Sequence, residues 1–156
     1  MIGKMKTMSK ATPAAIAVLR QATALRPKRK KASDGLLPSA AHMKQSPKSD
    51  HNTGLAVDLT HDPENGIDCV EIFEKLKEDN RVSYLIFQGK IWSKEKAKEG
   101  NRKYTGSNAH NKHLHISILN TCGNDVFPWF PWLGESKALG KIVSKVNPLP
   151  KKKETK

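Results

Sequence analysis

The chain has 156 residues, 37% of them apolar, and carries 28 Lys and Arg against 15 Asp and Glu, for a net charge of +13. That length fits one domain, and that apolar fraction supports a core, which excludes a wholly disordered chain. Arg20 and Gln21 end the longest apolar run, Ala14 to Leu19, well short of the roughly 18 residues that a membrane-spanning helix needs.

The N-terminal and C-terminal stretches, 1–10 and 147–156, are basic or Pro-containing and read as mobile tails around a single domain over 11–146. Lys4, Lys6 and Lys10 precede the Ala14 to Leu19 run, but the run is shorter than the apolar region of a secretory signal, about 7 to 15 residues. A capped helix fits better, with Thr12 accepting from the first free amides and Pro13 at the first helical position. The basic run Arg26 to Lys31 follows, then the polar turn Ala32-Ser33-Asp34-Gly35.

From Gly54 to Thr60 the residues alternate, with Leu55, Val57 and Leu59 on one side and Asp58 on the other, which predicts a half-buried strand. Ile67, Val70, Phe73 and Leu76 recur at helical spacing and predict an amphipathic helix over 66–79. Tyr84 to Phe87 and Lys90 to Ser93 flank Gln88-Gly89 as a β-hairpin, followed by a charged loop from Lys94 to Arg102. Lys112 to Ile118 alternates again: Leu114, Ile116 and Ile118 share one face, and His113, His115 and Ser117 the other. Pro128 and Pro131 break up the Trp129, Phe130 and Trp132 cluster, which is expected to pack against the core. Cys69 and Cys122 suggest neither a disulfide framework nor a thiolate metal knuckle. The expected fold is α+β: a small, mainly antiparallel sheet carrying the functional site on one face, with the two helices on the other.

Chemistry concentrates on the polar faces of the two alternating strands. Two imidazoles at i and i+2, His113 and His115, offer nitrogens to one volume, which suits a metal ligand beside an acid/base group. His51 and Asp58 lie seven residues apart with Gly54 between them to turn the chain. If the strands pair, His51, Asp58 and His115 supply two nitrogens and an oxygen and leave one tetrahedral position open, the pattern of catalytic zinc.

The stretch Ser49-Asp50-His51-Asn52-Thr53-Gly54-Leu55-Ala56-Val57-Asp58 fits SxHxxGxAxD, and His113-Leu114-His115 gives HxH. Both resemble the zinc peptidase superfamily of D-alanyl-D-alanine carboxypeptidases, murein endopeptidases, phage endolysin peptidases and the hedgehog signalling domain. Ser33-Asp34-Gly35, Ala41-His42, Thr60-His61-Asp62-Pro63 and Tyr104-Thr105-Gly106 extend the likeness over about Ser33 to Ser117. The resemblance implies one Zn2+ held by His51, Asp58 and His115, with His113 as the catalytic partner. Where the carboxypeptidase branch has a Glu three residues before the final zinc histidine, this chain has Lys112. That departure favours the branch in which a histidine of HxH does the proton transfer or stabilises the oxyanion.

Around this centre, Arg102 is a candidate for binding the oxyanion or a substrate carboxylate, Asp50 for orienting His51, and His110, Trp92 and Tyr104 for lining the cleft; His42 and His61 occupy no ligand position in the motif. The expected activity is hydrolysis of a peptide bond in the stem peptide or cross-bridge of bacterial peptidoglycan, by a monomer that acts at the wall as phage lysins do. Anionic wall polymers would bind its basic surface. Two further readings are a metal-dependent nuclease or basic nucleic-acid-binding protein, and a zinc scaffold without catalysis.

Overall fold

A computed structural model describes residues 11–36, 53–106 and 109–134. Thr12 caps helix α1 (Pro13–Leu25) as its sequence predicts: Oγ1 accepts from Ala15 N at 3.3 Å, and Pro13 sits at the first position. Thr12 also donates to the Gly54 carbonyl from both its amide and its hydroxyl, at 3.0 and 2.8 Å. Gly54 adopts φ 76°, so the chain turns there and strand β1 begins only at Ala56, running to Thr60.

Helix α2 (Cys69–Leu76) is shorter than the periodicity predicts, because Asp68 caps it by accepting from Val70 N at 2.9 Å. Starting at Cys69 resets the buried stripe to Cys69, Ile72, Phe73 and Leu76, and leaves Val70, expected inside, 52% exposed. Ile67 is buried ahead of the helix, where it bridges back to Asp62.

Strands β2 (Val82–Phe87) and β3 (Lys90–Ser93) form the expected hairpin, with φ 48° at Gln88 and 78° at Gly89. Positive φ at both central residues gives the turn whose twist matches paired strands. The charged loop ends in a short edge strand, β4 (Arg102–Lys103), and β5 (His113–Ile118) carries the histidines. All pairs are antiparallel and the sheet order is β1-β5-β2-β3-β4, so the last strand inserts between the first and the second.

One face carries Val57, Leu59, Leu85, Trp92, Leu114 and Ile116, and it packs with both helices in a single core. The described residues thus make an α+β fold with a five-stranded antiparallel sheet and two helices, none of them long and apolar enough to cross a membrane. Trp129 and Phe130 are buried, as expected of the Pro/Trp segment. Cys69 and Cys122 are both free thiols, and burial pushes that of Cys69 far up, leaving it unreactive.

The basic run is only partly turned to solvent. Lys28, Lys30 and Lys31 are exposed, but Arg29 is buried and grips Asp34 through two bonds of 3.1 and 2.7 Å. Asp34 in turn accepts from the amide and hydroxyl of Thr60, at 3.1 and 2.7 Å. Asp62 is tied in alongside, accepting from Lys30 N and Asn65 Nδ2 at 2.8 Å each.

The Lys30 amide, more than any other cause, holds the Asp62 carboxyl below its ordinary range, against the opposing effect of burial. A folded-state pKa below the unfolded value of about 3.9 contributes stability above that value, and the contribution is lost as pH falls through the lower one. Asp62→Asn should therefore lessen the loss of stability between about pH 5 and the acid transition. An unchanged acid limb in urea titrations would remove Asp62 from that account.

Candidate metal centre

Alternation places Ala56, Asp58 and Thr60 of β1, and His113, His115 and Ser117 of β5, on the face opposite the core. The strands pair in the register that sets Asp58 against His115 and Thr60 against His113. Asp58 Oδ1 lies 3.3 Å from His115 Nδ1, and Oδ2 lies 3.5 Å from His113 Nε2. Both separations exceed the charge-assisted hydrogen bond of about 2.7–2.9 Å. They are close to the edge of a zinc tetrahedron, about 3.3 Å for legs of about 2.0 Å.

His115 is 4% exposed, and its other nitrogen, Nε2, meets Ser117 Oγ at 2.8 Å. That bond fixes the ring so that Nδ1 faces the carboxylate, the arrangement that supporting hydrogen bonds give to metal-binding imidazoles. Tyr84 of β2 stacks on the His115 ring, centroids 5.3 Å apart at 18°. The donor chemistry fits zinc: one carboxylate oxygen and one oriented imidazole nitrogen converge, with a second imidazole beside them. Among the described residues no three His, Cys, Asp or Glu side chains make up a metal cage, and His51, the further donor implied by the resemblance, lies outside them together with Asp50 and His42.

Two neighbours position Asp58. Gly35 exchanges backbone hydrogen bonds with it at 3.1 and 2.8 Å, and a Cβ on Gly35 would stand 3.3 Å from Asp58 Oδ2. Gly35→Ala should therefore press on the carboxylate and weaken zinc binding several-fold with little change in thermal stability; unaltered zinc affinity by competition titration would contradict this. On the far side of Asp58, Thr60 is held by Asp34 and so by Arg29.

His110 reaches the cluster from the loop before β5. It is buried with φ 59°, and its ring meets His113, His115 and Tyr104 edge-on at 5.0, 5.5 and 5.5 Å. Histidine tolerates the left-handed region better than most residues, and backbone strain of this kind gathers at functional sites. Its carbonyl accepts from Gln88 N at 3.1 Å, which pins the loop to the hairpin tip. Tyr104 folds over Gly106, where any Cβ would overlap its hydroxyl.

The structure corrects two sequence expectations. Trp92 is no groove wall: as the register partner of Leu85 it is buried in the core on the opposite face. Arg102 is no oxyanion group: it is on the site face, but on β4, three strands from His115. His61 turns to α2, where Nδ1 accepts from Cys69 N at 3.1 Å, and its ring meets Phe87 edge-on. Lys112 is exposed, so its ammonium lies outside the cluster.

Tyr84, Ser117 and Gly35 are the contributors that sequence reasoning missed. Ser117 had a signal in the alternation His113, His115, Ser117; Tyr84 had none, because its place depends on β2 pairing with β5. No curated protein and no solved structure matches the chain. A family model for the VldE C-terminal domain matches residues 7–115, a span that runs from before α1 to His115 and takes in Asp58 and the whole histidine cluster. The chain therefore belongs to the VldE C-terminal domain family.

Proposed function

We propose that the protein is a zinc-dependent peptidase that cleaves a peptide bond in the stem peptide or cross-bridge of bacterial peptidoglycan. The observation that carries this reading is the convergence of Asp58 Oδ1 and His115 Nδ1 at 3.3 Å, with His113 on the same face. Asp58 and His115, with His51, would hold the ion. Bound there, zinc supplies the Lewis acidity that polarises a scissile carbonyl and acidifies water.

The chain's own residues do the rest. His113 is less buried than His115 and is the group that exchanges protons with the attacking water and the departing amine. Its protonated form also stabilises negative charge on the tetrahedral oxygen. Ser117 and Tyr84 hold the His115 ring in one orientation, and His110 and Tyr104 close the cluster from the loop side. The net charge of +13 favours binding to anionic wall polymers, independently of the bond cleaved.

Incubating purified peptidoglycan with the zinc-loaded protein, with and without chelator, tests this reading. Mass spectrometry should find new amine and carboxyl ends in stem-peptide fragments only without chelator. Intact wall material from several bacterial types would refute it.

A further inference from the structure

We infer that the site face continues into a second subsite, centred on Arg102, that binds a carboxylate of the substrate peptide about four residues from the cleaved bond. This rests on the peptidase reading above. Register pairs place Asp58, His115, Ile86, Ile91 and Arg102 in one row across all five strands. Arg102 therefore faces the same side as the histidines, three strand spacings of about 4.8 Å away, or about 14 Å. An extended peptide advances about 3.3 Å per residue, so about four residues span that distance. Ile86 is buried, but Tyr84, Ile91, Ser93 and Arg102 all keep part of their surface exposed, forming a floor with an apolar middle and a cationic end.

The guanidinium is built in, not trailing in solvent. Its Nη2 donates to Ser93 Oγ at 3.1 Å, and the side chain is 30% exposed. Its Nε is buried and has no hydrogen-bond acceptor among the described residues. Among the described residues the carboxylate nearest to it, on the exposed Glu99, is 3.8 Å away, too far to hydrogen-bond. A buried donor without an acceptor calls for a partner, and the Nε and Nη2 edge of arginine is the fork that takes a carboxylate with two bonds. A peptide carboxylate that displaces Glu99 satisfies that donor. Stem peptides carry free carboxylates, so the subsite gives the enzyme a way to tell uncapped peptides from amidated ones.

The test uses zinc-loaded protein with a synthetic stem pentapeptide and the same peptide with its carboxylates amidated, read by calorimetry. Wild type should bind the acid about ten- to a hundredfold more tightly than the amide. Arg102→Gln should bind both alike, and Arg102→Lys should recover part of the preference, since it keeps the charge but loses the fork. Ser93→Ala, which frees the guanidinium, should weaken acid binding several-fold. A thermal unfolding transition matching that of wild type would show that Arg102→Gln is folded. Retention of the acid preference by Arg102→Gln overturns the subsite and leaves the peptidase reading standing. Failure of wild type to bind either peptide or to digest wall material overturns both.

Discussion

His115→Ala should abolish zinc retention and peptide-bond cleavage together, whereas His113→Ala should keep the metal and lose turnover by about a hundredfold or more. The difference follows from where the two rings point. His115 is nearly buried, is fixed by Ser117 at 2.8 Å, and faces Asp58 with Nδ1. His113 is more exposed and faces the other carboxylate oxygen from 3.5 Å. Metal analysis after dialysis, paired with peptidoglycan digestion, separates the two roles. Equal loss of zinc in both variants would mean that both histidines are ligands and that proton transfer belongs elsewhere. Ser117→Ala should fall between them, with zinc bound more weakly by about tenfold, since supporting hydrogen bonds to metal-binding imidazoles contribute about ten- to a hundredfold in affinity.

Arg81→Met should cost the fold about 3 kcal/mol, the order expected when one partner of a buried ion pair is removed. The Arg81 guanidinium binds Asp79 through Nε and Nη2, at 2.9 and 2.7 Å, and reaches Asp125 at 3.2 Å. It also donates to the carbonyls of Phe127 and Pro128, at 2.9 Å each, and lies 3.6 Å from the centre of the Trp129 ring. These carboxylates hold its pKa above the ordinary arginine value in spite of burial. One side chain thus clamps the Pro/Trp segment to the end of β2, and methionine keeps its apolar stem while removing every one of those bonds. Urea denaturation followed by tryptophan fluorescence reads the loss. A change within about 0.5 kcal/mol would mean that Gln21, which accepts from Trp129 N at 2.7 Å, holds the segment without help.

Local pattern made much of this fold legible. The Thr12-Pro13 cap, the Gln88-Gly89 hairpin and the alternation in both site strands each depend on residues within a few positions of one another, so the sequence carries them directly. The same alternation put Asp58, His113 and His115 on polar faces. What it left out is what distant segments decide. The insertion of β5 between β1 and β2 brings Tyr84 onto His115, sends Trp92 into the core and sets Arg102 three strands away. The helical spacing of Val70 from Ile67 points it to the core, but the Asp68 cap starts the helix two residues after Ile67 and turns Val70 outward. Arg29 sits in a run of basic residues, and only its partner Asp34, itself fixed by Thr60, draws it inside. His51, Asp50 and His42 lie outside the described residues, so the first half of the SxHxxGxAxD motif rests on the sequence resemblance.

The central claim is a zinc ion held by Asp58 and His115 with a further imidazole from His51. X-ray absorption at the zinc edge, on protein dialysed after loading with one equivalent of zinc, tests it most directly. The account predicts one retained zinc per chain, with imidazole nitrogens and a carboxylate oxygen at about 2.0–2.2 Å, and one nitrogen lost in His115→Ala where any metal remains. Protein that retains no zinc, or a zinc shell unchanged by both His115→Ala and Asp58→Asn, would contradict it.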